Sequence, residues 1–384
     1  MNTRYLVPAP IRPWTRRGLV AITAVLILVA APQSAFASVS VAPDATARVS
    51  GKVMAVLHVG SRTIIGGLFT AVGGKPRLNV AAIRADGTVD PDFNPSVNGE
   101  VWTIAASEDG SRVFLGGLFD TVGGLARANL AAVDGTSGAA VSDWRADTVG
   151  TYPIVRALAV SGPRVYVAGR YTGIDGTTSK RLVALGVDDG NVITTFRPAP
   201  NAGLGGVAVS SDGTKVYAGG AFTSIGGQPR SHGAAEVRAS SGLATAFSPS
   251  LGGGTVITLG MSPDDKRMYF GTENNTLFAY DLNNNKPAWS IKTNGNTQSI
   301  AVSSTEVYIG GHFSQIVTGT IPRMFIASLH PVDGSVTPWN PNMTGFPKGV
   351  WSVDITPDKL LVGGVFTTIG GVTHKSFARF SGTP

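Results

Sequence analysis

"VFLGGLFDTVGG", residues 113–124, reads as an apolar strand that meets a glycine pair, resumes, and meets a second pair. Close copies start at Thr63, "TIIGGLFTAVGG", and at Lys215, "KVYAGGAFTSIGG". Glycine inside a strand weakens it unless another backbone must come close. A single such loop ahead of a helix could cradle a phosphate, but these copies lie between apolar runs. Taking the second glycine of each strand pair as the phase gives Gly67, Gly117, Gly169, Gly220, Gly271, Gly311 and Gly364, spaced 50, 52, 51, 51, 40 and 53 residues apart. A fixed period of about 20–50 residues signals a solenoid, a propeller or an array.

Unit two shows the plan. "VWTIAAS" from Val101 is a first strand, "EDG" a tight turn, "RVFLGGLF" a second strand and "DTVGGLAR" a longer loop. "ANLAAVD", "GTSG" and "VSDWRAD" supply a third strand, a turn and a fourth strand. Short strands separated by regular turn signals read as all-β. Four antiparallel strands repeated seven times predict a seven-bladed β-propeller. The expected blades are 51–98, 99–150, 151–202, 203–252, 253–295, 296–346 and 347–384 plus 38–50. The last unit stops at Pro384 without a fourth strand, so the segment from Val39 is expected to pair into it as a strand and close the ring, protecting sheet edges. The strand glycines are expected to give clearance between neighbouring blades. Unit five, "RMYFGTENNTLFAYDLNNNKPAWS", drops about ten residues and one glycine, leaving an Asn-rich turn at Asn274–Asn275.

Residues 1–37 read as a secretory signal peptide: Arg16 and Arg17, an apolar run, then small residues at Ala35–Ala37. "TRRGLV" also has a loose likeness to a twin-arginine export signal. The domain then spans 38–384 and carries 27 basic against 24 acidic residues, so the whole-chain net charge of +7 owes much to the leader. That balance gives no footprint for nucleic acid. The chain has no cysteine, which excludes disulfides, thiolate metal sites and a cysteine nucleophile.

"VYAGGAFTSIGGQPR" (216–230), with "LAAVDGTSG" (130–138) in the matching place of unit two, resembles the delta-60 repeat family of exported bacterial β-propellers. The resemblance spans residues 38–384 and is weakest in unit five. It implies no catalytic activity and carries over no functional residues. The glycine pair with Trp144 and Trp339 is also similar to kelch blades, and "LFAYDLNNNKPAWSI" looks like a quinoprotein blade. The kelch-type copper radical cofactor needs a cysteine, and one quinoprotein-like unit in seven makes no quinone site.

Candidate sites follow from position in the repeat. The loop after the glycine pair ends in Arg77, Arg127, Lys180 with Arg181, Arg230, Arg323 and Lys375. These could form a cationic face for an anionic polymer or acidic partner. They could equally satisfy backbone carbonyls or an acid such as Asp90 or Asp92, and their regularity favours this structural role. Arg170 and His312 stand where other units carry Leu68 and Leu118, and are expected to line the channel. The aromatics Phe69, Phe119, Tyr171, Phe222, Phe313 and Phe366 are expected in the core. Aspartates at 109, 212, 264 and 358 fit turn chemistry. No catalytic constellation, cofactor or metal site is implied.

The sequence therefore predicts a secreted or cell-envelope binding or scaffolding propeller, without catalysis. The expected partner is an extracellular protein or glycan, with no nucleic acid, no membrane span after leader removal, and a monomeric state. The alternative is a glycan-active hydrolase or lyase with its site at the mouth of the central channel.

Overall fold

A computed structural model of the chain describes residues 39–230, 233–345 and 349–384. The expected leader, residues 1–37, lies outside the described residues. Among the described residues there is no helix. Among the described residues each repeat builds a main antiparallel sheet, these follow one another along the chain, and short hairpins form separate small sheets. Unit one pairs Lys52–Val59 with Arg62–Leu68, and Arg62–Leu68 with Val80–Ile83. Unit two repeats this with Glu100–Ala106, Arg112–Leu118 and Leu130–Asp134. Unit seven ends the series with Val350–Thr356, Lys359–Gly364 and Phe377–Ser381.

Two expectations about strands are corrected. Among the described residues only unit five, the shortened one, has a full four-stranded sheet, from Val256–Met261 to Lys286–Lys292. In units one, two, three, four and six the fourth strand shrinks to one bridge, such as Val133 with Ala140. There the chain leaves the ladder to bury an aromatic. Phe93 and Trp144 are fully buried, and Trp144 packs on Phe114 with ring centroids 5.4 Å apart. Prolines flanking these aromatics, such as Pro91, Pro95, Pro338 and Pro341, remove ladder donors.

The second correction concerns residues 39–50, which form no regular strand. The segment nonetheless lies against unit seven. Ser40 N–H donates to Ser381 O and Asp44 N–H to Arg379 O, at 2.8 and 2.7 Å. The Asp44 carboxylate accepts from Arg379 Nε at 3.1 Å. Trp339 of unit six donates its indole N–H to Ser40 O, as Trp144 donates to Gly186 O in the next unit.

The core lies between sheets. One apolar cluster joins units one and two through Val101, Leu115 and Phe93. Another joins Leu361 and Phe377 of unit seven to Val53 and Ile65 of unit one. The same junction carries a polar link: the Asp354 carboxylate accepts the His58 N–H at 2.8 Å.

The glycine pair has two separate reasons, not one. A Cβ on the first glycine would meet the neighbouring unit: at Gly116 it would lie 2.5 Å from Val155 Cγ1. A Cβ on the second would strike its own first strand: at Gly117 it would lie 2.0 Å from Glu100 O. Unit five is also rephased. Thr258 pairs with Gly271 and Val256 with Thr272, so Gly271 holds the first-glycine place and Thr272 the second.

Candidate functional site at the channel mouth

The second glycine sits opposite a feature common to all seven first strands. Each carries a register shift just after a buried residue near its start, between Val53 and Ala55 in unit one and between Val101 and Thr103 in unit two. The same shift recurs in units three to seven. A β-bulge inserts one residue, bends the strand and re-aims a side chain. The bulged residues are Met54, Trp102, Arg156, Gly205, Ile257, Gln298 and Trp351. All seven line one cavity of about 350 Å³. Here the repeat is broken: the backbone device is constant while the residue type changes in nearly every unit.

The cavity opens on the loop-rich end. Leu68, at the end of the second strand, pairs with Lys52 at the start of the first. The short hairpin that follows, Ala71–Val72 with Lys75–Pro76, therefore rises at the same end. Its Gly73 and Gly74 both take positive φ, 57° and 74°, as a tight two-residue hairpin turn requires.

Several groups converge at the mouth. The indoles of Trp102 and Trp351 meet edge to face, 6.0 Å between centroids. His312 packs against Trp351 at 4.9 Å. The Arg156 guanidinium lies over the Trp102 ring at 4.2 Å, a favourable cation–π distance. Trp102 donates its N–H to Glu100 Oε2 at 3.1 Å. Arg170 lines the same cavity and donates Nε–H to Tyr152 O. Tyr152 is 78% exposed and holds a left-handed φ of 54°, which is rare for a bulky residue. The channel walls desolvate Arg156 and, together with the Arg170 cation, hold its guanidinium below its usual basicity, with Glu100 opposing. The Trp351 indole N–H is buried without an acceptor, a condition that leaves few donors in folded proteins.

Of the residues expected from the sequence, Arg170 and His312 belong to this cluster. The basic residues of the loops do not. Arg127 donates to Ala126 O, Val141 O and Ser142 O. Arg77 reaches Pro76 O, Asp90 O and Pro91 O. Arg230 and Arg323 bond in the same pattern, to Pro229 O with Thr245 O and to Pro322 O with Thr337 O. Burial draws both below their usual basicity. Asp90 instead pairs with Arg62 and Arg84. Arg181 and Lys375 fall out of this register. Arg181 takes the left-handed place of Asn79 and Asn129, with φ of 67°, and donates to Pro200 O. Lys375 precedes Ser376, which holds that place in unit seven. A larger groove of about 700 Å³ runs along unit three, but its lining comes from that unit alone.

Trp102, Arg156, Gln298 and Trp351 escaped the sequence reading. The signal was there as a variable column, the second residue of "VMAVLH", "VWTIAA", "VRALAV", "TQSIAV" and "VWSVDI".

Comparisons with known proteins agree with this architecture. Residues 62–93 and 356–382 match the family described as "Domain of unknown function (DUF5122) beta-propeller". Among solved structures, one titled "Structure of U3-55K" is similar at a TM-score of 0.60 and 12% identity, covering 88% of this chain and 99% of that one. Another, "Crystal structure of RRP9 WD40 repeats", gives 0.61 and 12%, covering 90% and 100%. A chain of "Crystal Structure of Mitotic Checkpoint Complex" gives 0.59 and 14%, covering 99% of each. No curated protein sequence matches the chain. At such identities the likeness is one of fold: the chain is an all-β protein with a β-propeller fold.

Proposed function

We propose that the chain is an exported, non-enzymatic binding or scaffolding module, a seven-bladed propeller of the delta-60 kind whose ligand, protein or glycan, meets the loop-rich face. The β-propeller fold fits binding or scaffolding in general terms, since it presents variable groups on rigid blades. One observation carries the reading. Side chains that depart from the repeat gather at a single mouth, where Trp102, Trp351, Arg156 and Arg170 offer stacking surfaces and cations for a ligand. Such clustering of irregular polar groups also suits the alternative, a glycan-active enzyme with its site at this mouth, so the test must separate binding from turnover. Ring closure by residues 39–50 is supported by the contacts of Ser40 and Asp44 with unit seven and by the apolar cluster between units seven and one.

The purified protein is to be tested on a glycan array and by capture of cell-surface components, alongside assays for released reducing ends and unsaturated products. Binding without turnover is expected. Turnover would establish the glycan-active hydrolase or lyase instead. N-terminal sequencing of protein recovered from the medium or envelope should begin at Ser38; an intact Met1 would overturn export by leader cleavage.

A further inference from the structure

We infer that the channel mouth binds a carboxylate-bearing sugar ring, a uronate unit, with Arg156 and Arg170 on the carboxylate and the indoles of Trp102 and Trp351 against the ring. This rests on the reading of the chain as a binding module and names the ligand class for it. Among the described residues neither arginine forms an ion pair. The guanidinium of Arg156 lies over the Trp102 ring, 4.2 Å from its centroid, a contact with the ring face that takes up no hydrogen-bond acceptor and leaves N–H donors for a planar anion. Arg170 commits Nε to Tyr152 O and keeps its terminal nitrogens.

Two like charges share one partly desolvated cavity, and Glu100, the carboxylate whose charge acts on Arg156, already accepts from Trp102. An entering anion relieves that repulsion, whereas a neutral ligand leaves it in place. The rest of the lining divides as a sugar does. Met54, Ile257 and the indoles offer apolar surface for ring C–H groups, and Gln298 offers a donor and an acceptor for hydroxyls. A cavity of about 350 Å³ is at the small end for ligand pockets, and it is walled by all seven units, which suits one ring or chain end better than an extended peptide.

The test titrates the purified protein with D-glucuronate, following tryptophan fluorescence and heat, with glucose, acetate and benzoate as controls. Saturable glucuronate binding is expected, with glucose and acetate each at least tenfold weaker and benzoate weaker than glucuronate. Arg156→Gln and Arg170→Gln should each weaken glucuronate at least tenfold without moving the melting temperature, and Arg156→Lys should recover part of the loss. Glucose binding as well as glucuronate, unaffected by the arginine variants, would overturn the carboxylate while leaving a sugar-binding module. Acetate or benzoate matching glucuronate would overturn the sugar ring. Absence of any saturable glucuronate signal would overturn the inference outright, and the array and capture experiments then decide separately whether the binding-module reading survives.

Discussion

Arg127 shows how a repeated cation can serve the fold. Arg127 is 5% exposed, and its guanidinium donates to the carbonyl of Ala126 beside it and to two carbonyls, Val141 O and Ser142 O, from the segment after the third strand. That segment has only a single bridge to its sheet, so the arginine does the work of the missing ladder. Hydrogen bonds to charged groups contribute about 1.5–3 kcal/mol, and stranded carbonyls add a penalty. Arg127→Leu is therefore expected to lower stability by roughly 2–4 kcal/mol in denaturant unfolding, with ligand binding at the mouth unchanged in the folded fraction. A variant as stable as the parent would remove this role. Asp354 behaves oppositely. Burial raises its carboxyl above the usual aspartate range, although the N–H groups of His58 and Ile355 oppose the shift. The native state then holds this proton more tightly than the unfolded chain does. Its contribution favours folding below the unfolded value of about 4 and is lost as pH rises through the raised native value. Asp354→Asn still accepts the His58 N–H through its amide oxygen, so melting temperature should fall less steeply with rising pH than in the parent. An unchanged slope would place the titration elsewhere.

Strands two and one form the element that sets the mouth. Gly117 lets the Glu100 carbonyl approach and so permits the bulge that turns Trp102 into the cavity. Gly116 only makes room for Val155 of the next unit. Unit three has Ala168 in the Gly116 place, within a cluster that includes Leu204 of unit four. Gly116→Ala should accordingly cost about 1–2 kcal/mol through overpacking. Gly117→Ala meets rigid backbone and should cost more, while also shifting the Trp102 fluorescence as the bulge deforms. Equal costs with no spectral change would refute the division of labour. These elements also mark how far the sequence could be read. Period, strand identity, hairpin glycines and buried aromatics were legible because each recurs with the same chemistry: Phe69, Phe119 and Phe313 are all buried. The bulge was not legible, because strand alternation assigns a face only while one residue opposes one residue. An inserted residue such as Trp102 or Arg156 leaves no mark beyond its variability. Unit five was misphased because Thr272 stands where other units have glycine. Arg181 was misplaced because a basic residue two positions late looks the same in a one-dimensional count.

Over the whole molecule, the question is whether seven sheets act as an open array or as a ring. In an open array each repeat answers only to its neighbours, and trimming one end removes one interface. In a ring the first and last units are neighbours too. The apolar contacts of Leu361 and Phe377 with Val53 and Ile65 and the Asp354–His58 link occur at this junction. Residues 39–50 reinforce it from outside. Val39 is buried with Trp339, Phe380 and Met343, Asp44 meets Arg379 and Ser381, and Val49 bridges to Val72 of unit one. The segment thus touches units six, seven and one together. Removing residues 38–50 uncovers part of that apolar cluster and leaves Arg379, only 5% exposed in the intact protein, without its carboxylate. Stranding a buried charge costs about 3–5 kcal/mol. The truncated protein should unfold in one transition at a clearly lower temperature, with hydrogen exchange rising in units six, seven and one. The mouth should weaken as well, since Trp351 belongs to unit seven and Met54 to unit one. An early separate transition confined to unit seven, with the remaining units and glucuronate binding intact, would instead describe an open array.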